Sequence, residues 1–367
     1  MVRRYCGSGY LSRSDLAKGP PMPETGVRLR FWSDFRVEPE RFDLPELQPR
    51  QLLVRVSRSA VSAGTEGNFY RQNPVDAEHP PVAAELGYMT VGRVAAVGSG
   101  ISEYAVGDRV LTSGTHGSHW LIDLDDAAAP ATRRYIERLP ENVRDEEAGF
   151  VILGDVSLHG VRRAALQIDE AVVVLGCGIV GQLTIQLARI AGAYPIIAVD
   201  LLPDRLEAAS ASGATHLINA ADPDAVAQVF AITEGRGAES VFHCAPVAQV
   251  LQTAMEMASD RGKIILTASP PGTATIGLQV ELLRRELAVL GVYEAGIDEP
   301  HGYWPWSRAR NRRACLRLLA TGQLRLDHLI SHVLPASEAE QMRRMMHDGA
   351  TPWMGVVLDW DDLTAFH

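Results

Sequence analysis

The residues best suited to chemistry lie at Gly176-Cys177-Gly178-Ile179-Val180-Gly181. They follow a wholly apolar run, Ala171-Val172-Val173-Val174-Leu175, and open a helix-like segment. In such a loop Gly176 permits a tight turn and Gly178 lets backbone approach a pyrophosphate. Gly181 allows close helix–strand packing. The first N–H groups of the following helix, from Ile179 and Val180 onward, have no intrahelical partner and favour a phosphate. Asp200 comes about 20 residues after Gly181, at the end of the next apolar run, where a carboxylate meets a ribose diol. A carboxylate there repels a 2′-phosphate, so NAD is expected over NADP. Arg205 has two readings, contact with the adenosine ribose or a solvated helix position. Cys244-Ala245 and Thr267-Ala268-Ser269 follow later strand-like runs and are expected to line the nicotinamide half of the crevice.

The elements around this loop alternate. Helix-like patterns over 181–191 and 204–212 separate apolar runs at 195–199, 216–218, 240–243 and 263–267. Uniformly apolar strands between helices predict a parallel sheet covered on both faces. Before about residue 146 the pattern is β-like, with strands at Gln51–Val56 and Val91–Val97 and a turn at Gly107-Asp108. The expectation is an α/β chain of four parts: a flexible extension over 1–25, a β-rich unit over 26–155, a nucleotide-binding unit over 156–300, and a return over 301–367. Tyr293, Tyr303, Trp304 and Trp306 fall in an aromatic stretch that reads equally as a lid or a subunit contact. If it lines a cleft, Arg308 and Arg310 would meet a polar or anionic substrate.

Composition excludes several classes. With a net charge of −10 the chain lacks the basic face of a nucleic-acid binder. No run of about 18 apolar residues is present, so no membrane span is expected. Only Lys18 and Lys263 are lysines, which leaves no obvious Schiff-base residue. Four scattered cysteines without a CxxC pair point away from disulfides and from a cysteine-rich zinc lobe, and towards a reducing, cytoplasmic setting.

Taken together, Gly87-Tyr88-Met89-Thr90-Val91-Gly92-Arg93-Val94, Gly107-Asp108-Arg109-Val110, the glycine loop with Asp200, and 324–334 resemble the medium-chain dehydrogenase/reductase superfamily. Sorbitol- and threonine-dehydrogenase-like members are the most similar. The resemblance spans about residues 27–360. It implies a GroES-like β-rich catalytic domain, a Rossmann nucleotide domain, a small-molecule substrate held between them, and a homo-oligomer (dimer or tetramer). The segment over 284–293 would supply an edge strand for pairing.

Zinc-dependent members carry Cys-Gly-Thr-Asp, then Gly-His-Glu, then a third thiolate or carboxylate. The matching residues here are Ala63-Gly64-Thr65-Glu66, Gly87-Tyr88-Met89 and Ile152. A catalytic zinc takes about three N, S or O ligands, so no zinc is expected, and a side chain must handle the proton. Thr65 matches the hydroxyl relay of the family. Tyr88 reads either as the proton donor or acceptor, with Glu66 to orient it, or as an aromatic that fills the pocket. Asp155, in an otherwise apolar stretch, reads either as a general base or as a helix N-cap.

His116 and His119 are not expected to pair on a metal, because strand positions three apart face opposite ways. His159 and His243 read as structural. The function expected is hydride transfer between nicotinamide and a secondary alcohol or ketone, such as a polyol, sugar or cyclitol. Rival readings are a zinc-free enoyl or quinone reductase, a lyase or epimerase that uses NAD transiently, and a non-catalytic dinucleotide-binding sensor or assembly subunit.

Overall fold

The computed structural model describes residues 25–125, 135–293, 302, 304–349 and 351–366. The expected N-terminal extension up to residue 24, and residues 294–301 and 303 of the aromatic stretch, lie outside them. Thr25 begins the first strand.

That strand, β1 (Thr25–Trp32), pairs with β2 (Val37–Asp43). The long β3 (Gln51–Ala60) leads into α1 (Ala63–Gln72), followed by β4 (Ala83–Ala84), β5 (Thr90–Val97), β6 (Arg109–Thr112), β7 (His119–Asp123) and β8 (Ile136–Arg138). Helix α1 is a correction to the all-β reading of this region. Its sequence, AGTEGNFYRQ, has two glycines and no apolar stripe, so neither propensity nor periodicity announces it. Ser62 at its N-cap donates its backbone N–H to Glu66 Oε1 at 2.7 Å, and that carboxylate is held from far along the chain by Arg343 and His116.

A short α2 (Asp145–Ala148) precedes α3 (Val151–Ala164), which crosses to the second sheet. There β9 (Val172–Leu175), α4 (Ile179–Ile190), β10 (Ile196–Asp200), α5 (Pro203–Ser212), β11 (His216–Asn219), α6 (Ala225–Ile232), β12 (Ala238–His243), α7 (Val250–Met257), β13 (Ala258–Leu266) and β14 (Ala288–Gly291) alternate as expected. Among the described residues this sheet runs β11-β10-β9-β12-β13-β14, every pair parallel. Strands β9 and β10 are buried along their whole length, which is why they read as unbroken apolar runs.

The chain then forms α8 (Arg308–Ala320), β15 (Ile330–Pro335), α9 (Ala339–Asp348) and β16 (Gly355–Asp359). Strand β16 pairs antiparallel with β3, so the last segment joins the first sheet. One apolar core runs from Val91, Leu111 and Phe150 to Val174, Phe242, Ile265 and Cys315, tying the two sheets together.

Candidate active site

Helix α3 is the spine of the site. Ser157 Oγ donates to the Val180 carbonyl at 3.0 Å, and a Cβ on Gly160 would lie 3.2 Å from Thr267 Oγ1. Both contacts fix α3 against the C-terminal edge of the parallel sheet.

At that edge the glycine loop behaves as its spacing implies. Gly176 has φ +91°, and a Cβ there would lie 2.7 Å from the Ala245 N atom. A Cβ on Gly181 would come within 2.0 Å of the Gly176 carbonyl oxygen. Gly178, the N-cap of α4, faces open space, so its backbone is accessible to a ligand. Ile179 is buried and Val180 half-buried behind it.

Asp200 ends β10 at 7% exposure. Its Oδ2 accepts the Cys177 N–H at 2.7 Å and its Oδ1 accepts the Leu202 N–H at 2.9 Å. Arg205 turns back, with Nη1 3.9 Å from Asp200 Oδ2 and its guanidinium 6.0 Å from the Trp353 ring, so it is no free surface residue.

Cys244 donates its N–H to Leu175 O at 2.8 Å, and Thr267 and Ala268 both donate to His243 O. Strands β9, β12 and β13 are neighbours, so Cys244, Ala245, Thr267, Ala268 and exposed Ser269 follow strand ends on the same edge of the sheet as the glycine loop. Burial pushes the Cys244 thiol up to about 12 and raises Cys177 as well, so neither supplies a thiolate near neutrality.

A second group lies on α1 and the loop before β5. Tyr88 donates its hydroxyl to Ser62 Oγ at 2.7 Å and sits 3.4 Å from Thr65 Oγ1. Its carbonyl accepts the Tyr135 hydroxyl at 2.7 Å, and its half-buried ring packs on the shared core. Thr65 is exposed at the helix start.

Glu66 does not orient Tyr88. Its carboxylate, 2% exposed, takes the Arg343 guanidinium and His116 Nε2, the latter at 3.2 Å, as well as the Ser62 N–H. Burial alone would raise its pKa, but the charges of Arg343 and His116 and its hydrogen bonds outweigh that and hold it near 2. His116 Nδ1 lies 2.7 Å from Ser59 Oγ, which also accepts the Trp360 indole N–H. The network therefore holds Ser62 through Glu66, and Ser62 in turn accepts from Tyr88.

Asp155 is not an N-cap. Helix α3 starts at Val151 after Phe150, because the apolar run already belongs to the helix, and this places Asp155 in its second turn. Its carboxylate, 0% exposed, lies 3.7 Å from Arg308 Nε and 3.9 Å from Arg312 Nη1, so it draws α8 onto α3.

His116 and His119 make separate contacts, His119 Nδ1 with Ser118 Oγ at 2.9 Å. Burial lowers His119 and His159 to about 4, and His159 meets the edge of Trp304. His243 is buried beneath the crevice. Sequence reasoning missed Ser62, His116 and Arg343 as parts of the site. Glu66 and Arg343 are far apart in the chain, and no local pattern links them.

The positions matched to zinc ligands hold Ala63, Tyr88 and Ile152. Among the described residues no three His, Cys, Asp or Glu side chains are grouped to hold a metal ion. No helix of the described residues is long and apolar enough to cross a membrane.

Comparison with known proteins places this arrangement. Residues 180–308 match the zinc-binding dehydrogenase family model. The chain is 30% identical over 301 residues to D-guloside 3-dehydrogenase of Escherichia coli (strain K12), covering 80% of this chain and 83% of that one. The chain belongs to the zinc-type alcohol dehydrogenase-like medium-chain dehydrogenase/reductase superfamily. It is an oxidoreductase of that superfamily. Sorbitol dehydrogenase of Bacillus subtilis (strain 168) is 28% identical over 318 residues, covering 80% of this chain and 85% of that one. In fold the chain is similar to an oxidoreductase/dehydrogenase of unknown specificity from Escherichia coli, at TM-score 0.78 and 19% identity, over 92% of this chain and 100% of that one.

Proposed function

We propose that this superfamily member is a zinc-independent, NAD(H)-preferring oxidoreductase acting on a secondary alcohol or ketone of the polyol, sugar or cyclitol class. One observation carries the reading. A phenol hydroxyl, Tyr88 Oη, stands at the position matched to a zinc-binding imidazole and is already hydrogen-bonded to Ser62 Oγ beside Thr65. Ala63 offers no donor atom and Ile152 none, so the set does not fit zinc, and no step is routed through a metal.

The glycine loop and crevice fit a dinucleotide. Gly178 offers its open backbone and the N-terminus of α4 to the pyrophosphate, and Asp200 offers its carboxylate to the ribose diol. Arg205 flanks that carboxylate, and Cys244, Ala245 and Thr267 to Ser269 rim the other half. The bound nicotinamide would supply a C4 position that accepts or releases hydride.

Tyr88 then exchanges the substrate hydroxyl proton, as donor when a ketone is reduced and acceptor when an alcohol is oxidised. Ser62 and Thr65 pass that proton onward. Glu66 is a positioning residue, acting through the Ser62 backbone. Asp155, facing two guanidiniums, acts as a structural anchor in place of a base role. The names of the sorbitol and D-guloside dehydrogenases support a polyol or sugar substrate. The edge position of β14 supports a homo-oligomer paired through that strand.

The test combines metal analysis of the purified protein, NADH and NADPH titrations, and a screen of polyols, ketones and enones at the NADH absorbance band. The expected result is sub-stoichiometric zinc, tighter NADH binding and turnover of a secondary alcohol. Stoichiometric zinc required for turnover, or NADPH-driven reduction of enones alone, would overturn it.

A further inference from the structure

Helix α8 has two charged sides. At 100° per residue Arg308, Arg312 and Cys315 share the side turned to α3, where the two arginines face Asp155 and Cys315 meets Gly154. Arg310, Arg313 and Arg317 share the opposite side. With Arg162 from the last turn of α3, Trp306 and Ala314 they line a cleft of about 520 Å³. Arg308 and Arg310, read from the sequence as meeting a polar or anionic substrate if the stretch lined a cleft, point to different sides of the helix.

Two guanidiniums are held on one indole. The Arg162 guanidinium lies 3.6 Å from the Trp306 ring centre, and that of Arg310 lies 4.0 Å from it. Their other acceptors are neutral: Asn311 Oδ1 for Arg162 and Pro305 O for Arg310, with Ala309 O accepting from Arg313. Among the described residues, no carboxylate forms an ion pair with Arg162, Arg310, Arg313 or Arg317. Glu137, whose charge Arg313 feels, is engaged by Arg312.

Elsewhere some arginines are matched, while Arg71, Arg93, Arg189 and Arg236, each alone, meet neutral acceptors. Arg28, Arg50, Arg58, Arg109, Arg285 and Arg344 all meet carboxylates. What sets this cleft apart, in a chain of net charge −10, is that four guanidiniums without an ion pair among the described residues are gathered in one place. Burial and the neighbouring Arg310 lower Arg162 to about 10, so the crowding of like charge is felt within the cleft.

We propose that the cleft between α3 and the outer side of α8 binds a small multivalent oxyanion, a phosphate or a polycarboxylate, at a site separate from the dinucleotide crevice. Planar guanidiniums match such oxygens bidentately, and stacking on Trp306 fixes two of them in advance. Asn311 ties the cleft to the helix that also anchors to Asp155.

The experiment uses the full chain with saturating NAD+, which fills the dinucleotide crevice if the functional reading above holds. Sodium phosphate and citrate are titrated separately at constant ionic strength, with melting temperature and tryptophan fluorescence as readouts. A saturable rise in both is expected. In the double variant R313Q/R317Q the affinity falls by about tenfold or more, with alcohol turnover unchanged. In W306F the fluorescence response is lost and the thermal shift persists. No saturable response in the wild type overturns the proposal, and so does an undiminished response in R313Q/R317Q. A double variant that changes sedimentation but not anion affinity overturns it too, because the face would then hold a second copy of the chain.

Discussion

Replacing Tyr88 by Phe removes one oxygen from a ring whose packing stays in place. The ring lies against the shared core, and the oxygen donates to Ser62 Oγ at 2.7 Å and neighbours Thr65 Oγ1 at 3.4 Å. Loss of one neutral hydrogen bond costs about 1 kcal/mol of stability, a melting shift of roughly 1–2 °C in a chain of this size. The chemical loss is larger. A positioned proton donor contributes about 10²- to 10⁴-fold, or roughly 3–5 kcal/mol of barrier. Tyr88→Phe is therefore expected to lower kcat about 100-fold or more, with KM and NADH affinity little changed. Steady-state and single-turnover measurements of NADH absorbance, paired with a thermal melt, read the two effects separately. Ser62→Ala keeps the phenol and removes its acceptor, so an intermediate loss is expected. A Tyr88→Phe enzyme that folds and turns over within about threefold of wild type would refute the assignment, leaving the ring as a pocket wall.

Other expectations follow from the same geometry. Arg343→Met strands the buried Glu66 carboxylate with His116 alone and is expected to lower stability by about 3–5 kcal/mol in urea unfolding; a loss under about 1 kcal/mol would contradict this. Because Glu66 titrates near 2 in the fold and near 4.5 ordinarily, its contribution is complete above pH 4.5 and is lost as pH falls towards 2. Wild type is thus expected to lose stability more steeply than Glu66→Gln over that range by circular dichroism, and equal slopes would refute it. Gly178→Ala, with open space at its Cβ, is expected to leave the melt of the cofactor-free protein unchanged and weaken NAD binding. Gly181→Ala drives a methyl to within 2.0 Å of the Gly176 carbonyl oxygen and is expected to cost about 1–3 kcal/mol before any cofactor is added. Melts and NAD titrations of the pair check both outcomes, and similar melts for the two would sink the distinction.

Much of the nucleotide-binding half was legible because its signal is local. Loop, helix start and acid lie within about 25 residues, and Gly176 and Gly181 are required by close backbone contacts. The α1 segment was illegible for the opposite reason. Its residues carry no periodic stripe, and the helix is held by a carboxylate, Glu66, anchored from α9. Of the two readings of Asp155, the N-cap fails because its apolar neighbours are already the first buried turn of α3.

By itself the sequence determined the alternating parallel sheet, the glycine loop with Asp200 at the next strand's end, and side chains without donor atoms at Ala63 and Ile152. These depend on residue type and short spacing, which chain order preserves. Only tertiary structure decided what surrounds Tyr88. Ser62, Glu66, His116 and Arg343 meet because β16 returns to β3 and brings α9 over α1, closing the buried ion pair. The helical period separates the arginines of α8 into two sides, and tertiary packing decided that one faces Asp155 and the other Trp306. Charge pairing across hundreds of residues depends on burial and approach, and neither is written in the order of the chain.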